Sequence, residues 1–210
     1  MKVLLVNGSP HQKGATFTGL SEVAKTLNEE GIETDFYWIG VKPIGGCVAC
    51  ARCREKKACV FDDKVNEFTE LAAGFDGFVY GSPVYYAGIN GSFKSFLDRV
   101  FFSSASKTPH PFRFKPCASI VCARRAGTTS ALDQLNKYLL YHQGPVVASR
   151  YWCMVHGNSA EDAAKDIEGL QIMRALGRNM AWVLKSIEAG KKAGIPLPTV
   201  EEWTPTNFIR

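Results

Sequence analysis

Near its amino end the sequence reads Lys2-Val3-Leu4-Leu5-Val6, followed at once by Asn7-Gly8-Ser9-Pro10. The first five residues form a short apolar run, which predicts a buried strand, and the next four are typical of a turn. The residues from Thr16 to Glu30 carry apolar side chains at helical spacing, and Gly31 ends them. A buried strand, a turn and a helix in this order predict the first unit of an α/β sheet.

The same arrangement of strand and turn returns along the rest of the chain. Further strands are predicted at 32–39, 78–80, 117–123 and 146–155, and further helices at 62–74, 91–103, 128–141 and 160–190. Five strands separated by helices predict a doubly wound, five-stranded parallel sheet with helices on both faces. The loops that follow the strands then meet at one edge of the sheet, where such sheets bind their ligands.

Composition limits the classes of protein that this chain can belong to. The 210 residues are 46% hydrophobic and 21% charged, as in an ordinary globular protein, and we expect one domain over 1–190 with a C-terminal extension at 191–210. The net charge of +5 is too small to indicate nucleic acid. Because no apolar run approaches the roughly 18 residues of a membrane span, we expect no membrane association. Seven cysteines and no secretory leader predict a cytoplasmic protein with free thiols or metal ligands.

Several common chemistries lack their motifs in this sequence. The loop from Gly8 to Thr16 has neither the spacing of a P-loop nor the G-x-G-x-x-G of a dinucleotide fold. No arginine lies six positions after any cysteine, so the sequence gives little support to a cysteine-dependent phosphatase. The nucleophile elbow of hydrolases and the H-E-x-x-H of metalloproteases are also missing.

The first loop is nevertheless suited to a phosphate. Ser9 and Thr16 carry hydroxyl groups, and the free N–H groups of the following helix point to the same place. The alternative is an ordinary turn in which these residues only cap the helix. Tyr85 and Tyr86, on a later loop, could pack against a flat ring of a ligand. The alternative is that they are aromatic residues of the core or of an interface.

Three motifs in order resemble a known family. They are Gly8-Ser9-Pro10 with Gly14-Ala15-Thr16, then Gly81-Ser82-Pro83-Val84-Tyr85-Tyr86, then Phe93-Lys94-Ser95-Phe96-Leu97-Asp98-Arg99. Over about residues 1–190 the chain resembles the flavodoxin-like NAD(P)H-dependent FMN reductases, and within them the iron–sulfur flavoprotein branch. This resemblance implies a flavodoxin-like fold, bound FMN and a homodimer or homotetramer.

The resemblance also implies which residues bind the flavin. The FMN phosphate is assigned to Ser9 and Thr16; His11 and Ala15 stand where the family usually has Arg and Asn, so Lys13 is a further candidate for that contact. Two segments are expected to flank the isoalloxazine ring. One contains Pro83, Val84, Tyr85 and Tyr86, and the other contains Arg124, Arg125 and Gly127. No catalytic side chain is predicted, because the cofactor itself accepts the hydride.

Four cysteines form a separate motif, C-x2-C-x2-C-x5-C, at Cys47, Cys50, Cys53 and Cys59. Three cysteines at steps of three suit a [4Fe-4S] cubane better than a zinc site, and the spacing matches the iron–sulfur flavoproteins. Basic neighbours would offset an anionic cluster; they are Arg52, Arg54, Lys56 and Lys57. Four structural or redox-sensing thiols are the alternative.

Positive charge is concentrated between residues 99 and 132. The stretch contains six basic residues and no acidic one: Arg99, Lys107, Arg113, Lys115, Arg124 and Arg125. One interpretation is a field that attracts the phosphates of a nicotinamide dinucleotide, with 103–116 as a lid; the other is solvated surface. We expect Asp98 and Arg99 to form an ion pair that fixes their helix.

These observations lead to two functional hypotheses. The first is an FMN-dependent oxidoreductase that passes electrons from NAD(P)H through FMN to a small-molecule or protein acceptor. The second is an electron-transfer protein in which FMN and a [4Fe-4S] cluster relay electrons from a protein donor. A flavin-free nucleotide-binding module is a third and more distant alternative.

Overall fold

The computed structural model describes residues 1–204 and residue 206, and its strands form one sheet. The strands are β1 (Lys2–Asn7), β2 (Glu33–Trp38), β3 (Gly77–Tyr85), β4 (Gly88–Ile89), β5 (Cys117–Ala123) and β6 (Met154–His156). Strands β1, β2, β3, β5 and β6 are parallel and lie in the order β2-β1-β3-β5-β6, as the predicted doubly wound sheet requires. The two-residue β4 was not predicted, and it pairs antiparallel with the end of β3.

Helices cover both faces of this sheet. They are α1 (Ala15–Glu29), α2 (Cys53–Lys56), α3 (Lys64–Leu71), α4 (Gly91–Ser104), α5 (Thr128–Leu139), α6 (Ala160–Ala163) and α7 (Ile167–Lys192). Helix α1 packs against α6 and α7, and α3 packs against α4. Right-handed crossovers place these two groups of helices on opposite faces of the sheet, with α5 on the same face as α3 and α4. None of the described helices is long and apolar enough to cross a membrane.

The core is built on strands that are buried on both sides. Every residue of β5 is buried, and in β1 all but Lys2 are, because helices cover both faces of a parallel sheet. On the α3 and α4 face the core is largely aromatic, with Phe68, Phe78 and Phe96 fully buried and close to one another. The two short apolar runs of the sequence are therefore the centre of the fold.

Three predicted elements differ from the structure. Strand β3 continues to Tyr85 through the predicted turn at 81–83, because Gly81, Ser82 and Pro83 pair with β5. The strand predicted at 146–155 pairs with β5 only near its two ends, and between them Ser149 donates to the carbonyl of Ile172 in α7.

The helix predicted at 160–190 is two helices. Residue Asp166 leaves the helical conformation, and its carboxylate accepts the N–H groups of Gly169 and His156. This carboxylate begins α7 and ties it to the end of β6. Ser159 caps the short α6, because its hydroxyl accepts the N–H of Asp162.

The predictions for the basic stretch are also partly wrong. Arg99 pairs with Asp63 rather than with Asp98, and Asp98 pairs with Lys94. The segment 103–116 cannot cover the carboxyl edge of the sheet, because it leads into the opposite, amino end of β5. It is held there by the fully buried Phe112 and by Lys115, which donates to the carbonyls of Ala72 and Ala73.

Candidate functional site

The loop between β1 and α1 is held in shape by the side chain of Asn7. Its Oδ1 accepts the N–H of Ser9 at 2.9 Å, and its Nδ2 donates to the carbonyl of Gln12 at 3.0 Å. Asn7 is 1% exposed, so these bonds compete little with water. A buried amide that bridges two points of a loop fixes its conformation before any ligand binds.

Two neighbouring elements fix the same loop from outside. The indole N–H of Trp38, at the end of β2, donates to the carbonyl of Ser9 at 2.8 Å. Gly8 lies against the ring of Phe93 in α4, and a Cβ at this position would be 2.3 Å from that ring. Glycine is required here by close approach, not by an unusual backbone angle.

The resulting loop presents hydrogen-bond donors at the start of α1. The side chains of Ser9 and Thr16 are almost completely buried, at 3% and 2% exposure. Among the described residues no group is hydrogen-bonded to the Thr16 hydroxyl, and Gly14 at the N-cap has no side chain to satisfy the first-turn N–H groups. Free N–H groups and the positive end of the helix dipole favour an anion at this place.

A cleft of about 670 Å³ opens from this loop along the carboxyl edge of the sheet. It lies between the loops after β1 and β3, where the strand order reverses. Nine of the predicted residues line it: Ser9, His11, Lys13, Ala15, Thr16, Pro83, Val84, Tyr85 and Arg124. The structure therefore brings residues of all three predicted segments to one cavity.

Three predicted residues do not line the cleft. Tyr86 is fully exposed at the tip of the hairpin formed by β3 and β4, where it and Ala87 have φ angles of 48° and 60°. Gly127, with φ of 91°, lies against this tip; a Cβ there would be 2.7 Å from Cα of Ala87. Gly127 thus supports the hairpin, and Arg125 is an exposed neighbour.

One wall of the cleft was not among the predicted site residues. It consists of the loop after β6 with the start of α6, from Gly157 to Glu161, and of Cys122 near the end of β5. The glycine-containing loop at 156–159 was visible in the sequence, whereas nothing distinguished Cys122 from a core cysteine. Burial raises the pKa of the Cys122 thiol to about 12, so this thiol is neutral, whereas a hydrogen bond from Ser159 lowers the pKa of Glu161 in the same wall.

The four motif cysteines converge on a second, much smaller pocket of about 20 Å³. Cys53 is buried and Cys59 half-buried, whereas Cys47 and Cys50 are on an exposed stretch. Desolvation raises the pKa of the Cys53 thiol, and the neighbouring Cys50, Cys59 and Cys47 contribute in the same direction. All four motif cysteines therefore line one pocket.

The donor set of this pocket suits a thiolate-ligated cluster, since it supplies four soft sulfur ligands. In the part of the chain that the structure describes, no three histidine, cysteine or acidic side chains are grouped closely enough to hold a metal ion. Cluster binding would thus require Cys47 and Cys50 to move towards the two more buried cysteines.

Comparison with known proteins decides the family. A model of the NADPH-dependent FMN reductase family matches residues 1–159. An iron–sulfur flavoprotein of Methanocaldococcus jannaschii is 30% identical over 195 residues, which cover 90% of this chain and 100% of that protein. The chain belongs to the NADPH-dependent FMN reductase family, in its iron–sulfur flavoprotein branch. The resemblance seen in the three sequence motifs is confirmed.

Solved structures agree with this family at the level of the fold. A WrbA-like flavodoxin protein from Agrobacterium tumefaciens has a TM-score of 0.58 at 15% identity, covering 88% of this chain and 97% of its own. RosB, solved with 8-demethyl-8-formylriboflavin-5'-phosphate bound, has a TM-score of 0.69 at 14% identity, covering 100% and 94%. The predicted flavodoxin-like fold is confirmed.

If the loop between β1 and α1 holds the FMN phosphate, we expect Trp38→Phe to weaken FMN binding about 2- to 13-fold, because its one hydrogen bond to that loop contributes about 0.5–1.5 kcal/mol. Riboflavin, which lacks the phosphate, should bind the variant as it binds the wild type. Titration of both flavins by fluorescence quenching measures the effect, and Trp182→Phe, exposed on α7, is the matched control. Equal losses for both flavins would contradict a role in the phosphate loop.

Proposed function

We propose that this protein is an FMN-dependent oxidoreductase that passes electrons from NAD(P)H through FMN to a small-molecule or protein acceptor. The observation that carries the proposal is the rigid loop between β1 and α1, whose nearly buried hydroxyls face a cleft at the start of a helix. The family supports FMN as the ligand.

The residues of the cleft divide between the two ends of FMN. Ser9, Thr16 and the first-turn N–H groups of α1 would bind the phosphate, and the exposed Lys13 and His11 add donors at its outer side. Pro83, Val84 and Tyr85 form the wall against which the isoalloxazine ring would lie. A wall of largely apolar groups suits a flat, largely apolar ring.

The chain itself needs to supply only binding and positioning. FMN, when bound, provides the hydride and electron chemistry. Cys122 lines the same cleft, but its raised pKa keeps it a neutral thiol, so it contributes packing and not nucleophilic attack. Because no side chain must donate or accept a proton for hydride transfer, the absence of a predicted catalytic residue is compatible with this activity.

The test is reduction of the protein-bound flavin under anaerobic conditions. The FMN-loaded protein is mixed with NADPH or NADH, and bleaching of the flavin absorption is followed before any acceptor is added. Bleaching by either nucleotide at a rate that depends on its concentration supports the proposal. A protein that binds FMN but is reduced only by a protein donor such as ferredoxin would instead be an electron carrier.

The two arginines after β5 give a prediction about the nucleotide. Arg124 lines the cleft and Arg125 is exposed beside it. We expect charge reversal of both to raise the KM for NADPH severalfold with little change in kcat, because a positive field concentrates an anionic substrate. The control reverses Arg150 and Arg178, which are equally exposed but lie outside the cleft. An unchanged KM for NADPH in the Arg124 and Arg125 variant would show that these arginines take no part in nucleotide binding.

A second candidate function is electron transfer through FMN and a [4Fe-4S] cluster. It is favoured by the convergence of Cys47, Cys50, Cys53 and Cys59 on one pocket, and by the relatives that are called iron–sulfur flavoproteins. These four residues would hold the cluster, which supplies one-electron chemistry when bound.

Iron analysis tests this second candidate. We expect protein reconstituted without oxygen to contain roughly four irons and four sulfides per chain, with broad absorption near about 400 nm beyond that of FMN. The variant Cys53→Ser should lose most of the iron, whereas Cys153→Ser, a core cysteine outside the motif, should retain it. FMN without iron in the reconstituted wild type would leave the four cysteines without a metal role.

The remaining expectations about partners and location stay predictions. The homodimer or homotetramer rests on the family resemblance. All seven cysteines are free, which supports the proposed cytoplasmic location because thiols stay reduced there. Helix α7 ends at Lys192, close to the predicted start of the C-terminal extension, of which Pro205 and residues 207–210 lie outside the described part.

A further inference from the structure

Arg99 is the most deeply buried charged side chain associated with the cysteine pocket. It lies in α4 with its side chain 1% exposed, and its carboxylate partner is Asp63, 2.6 Å from Nη1 and 2.9 Å from Nη2. A buried arginine is tolerated only when its donors are satisfied. Its remaining donors are directed at the cysteine segment.

Two of those donors meet on one sulfur. Nε and Nη2 of Arg99 lie 3.3 Å and 3.2 Å from Sγ of Cys59. The backbone of Cys59 is held separately by Asn66, whose Oδ1 accepts its N–H and whose Nδ2 donates to its carbonyl. Both the backbone and the sulfur of Cys59 are thus fixed.

The same guanidinium holds both ends of the segment that carries the four cysteines. Nη1 donates to the carbonyl of Gly45 at 3.3 Å, just before Cys47. At the other end the ring of Phe61 lies 4.9 Å from Cζ of Arg99, and Asp63 follows. Asp63 also begins α3 by accepting the N–H of Val65, so the anchor extends into the next helix.

We propose that Arg99 is the positioning residue of the cysteine pocket: it closes the segment 45–63 into a loop and presents the Cys59 sulfur at a fixed place. The part of this inference that concerns bound iron rests on the proposed cluster function. Hydrogen bonds to a ligating sulfur stabilise the more negative, reduced cluster, so Arg99 would also raise its reduction potential.

Lysine cannot replace this arrangement. Its single ammonium nitrogen can pair with Asp63, but it cannot place two donors on Cys59 while a third reaches Gly45, which the planar guanidinium fork does. Arg99→Lys therefore keeps the charge and removes the geometry. The natural control is Arg178→Lys, an exposed arginine on α7.

The seven cysteines provide the first test, in the metal-free protein. N-Ethylmaleimide labelling of each thiol is followed by mass spectrometry at one fixed pH. In Arg99→Lys we expect N-ethylmaleimide to label Cys53, which is buried in the wild type, severalfold faster than in the wild type. The reason is that the segment 45–63 opens more often without the arginine. Cys117 and Cys153 in the core should stay protected in both proteins, and Arg178→Lys should match the wild type.

Two further results decide whether the effect is local. If Cys117 and Cys153 also become reactive, Arg99→Lys has unfolded, and Asp63→Asn replaces it as the milder variant. That variant should increase Cys53 labelling less, with the core thiols still protected. Unchanged Cys53 labelling in a folded Arg99→Lys or in Asp63→Asn would overturn the proposal.

Reconstitution with iron and sulfide provides the second test. If the wild type binds a cluster, Arg99→Lys should lose iron to a chelator severalfold faster, and its cluster should have a more negative midpoint potential. A folded variant with the wild-type potential and iron retention would contradict the role of Arg99 at Cys59. If the wild type takes up no iron, the proposed cluster fails, and the labelling result alone decides the role of Arg99.

Discussion

The double variant Ser9→Ala, Thr16→Ala will bind FMN about 5- to 150-fold more weakly than the wild type. In the proposed site each hydroxyl would donate one hydrogen bond to the phosphate, worth about 0.5–1.5 kcal/mol, so the pair would contribute about 1–3 kcal/mol. Both side chains are nearly buried at the start of α1, where water replaces them poorly. Titration of FMN and of riboflavin measures the effect, with Ser21→Ala, further along α1 and outside the cleft, as the control.

The comparison of the two flavins makes this result specific. Riboflavin should bind the double variant and the wild type alike, since it carries no phosphate. Thermal unfolding without ligand should show that the two apoproteins are similarly stable. If the double variant retains wild-type FMN affinity, the phosphate lies elsewhere and the assignment of this loop is wrong.

Gly8→Ala will impair both folding and flavin binding. A methyl group at Gly8 would be 2.3 Å from the ring of Phe93, so either the loop or α4 must move. Overpacking of this kind destabilises by about 1–3 kcal/mol. The N–H of Gly8 also donates to the carbonyl of Gly81 at 2.8 Å, so a shift of the loop disturbs both edges of the cleft.

The matched control for this variant is Gly91→Ala, two residues before Phe93. No atom lies within 4 Å of a Cβ built at Gly91, and the residue is helical. We expect it to be as stable as the wild type or more so, because alanine favours a helix. Urea unfolding and FMN titration of both variants test the prediction. Equal stability of Gly8→Ala and the wild type would show that the ring of Phe93 can move to make room for the methyl group.

The fold was predictable because its central strands are buried on both faces. Such strands must be continuous apolar runs, and β1 and β5 are visible in the sequence for that reason. The short β6 and β4 were not predictable in the same way. Their pairing depends on β5 and β3, and their own residues indicate no boundaries.

The phosphate end of the candidate site was also visible in the sequence. Ser9 and Thr16 are close to each other along the chain, so local geometry alone brings them to the start of α1. The wall formed by Cys122 and the loop after β6 was different. Its residues reach the cleft only through the order of the strands in the sheet.

The partners of charged side chains could not be predicted from the sequence either. Asp98 and Arg99 are adjacent in sequence, but neighbours on a helix point in different directions, so they do not meet. Arg99 instead crosses to Asp63 and Cys59, which are 36 and 40 residues away. The break before α7 likewise depends on Asp166 reaching His156 in β6.

The elements with a local cause could be predicted from the sequence alone. They are the buried runs of β1 and β5, the glycine-containing turn at Gly8, the helix that follows it, and the spacing of the four cysteines. Periodicity and turn chemistry act over a few residues and can be seen in them. Which surfaces pack together depends on the tertiary structure. It placed Arg99 beneath the cysteine pocket and turned 103–116 away from the cleft, because packing and the burial of charge depend on contacts between residues far apart in the chain.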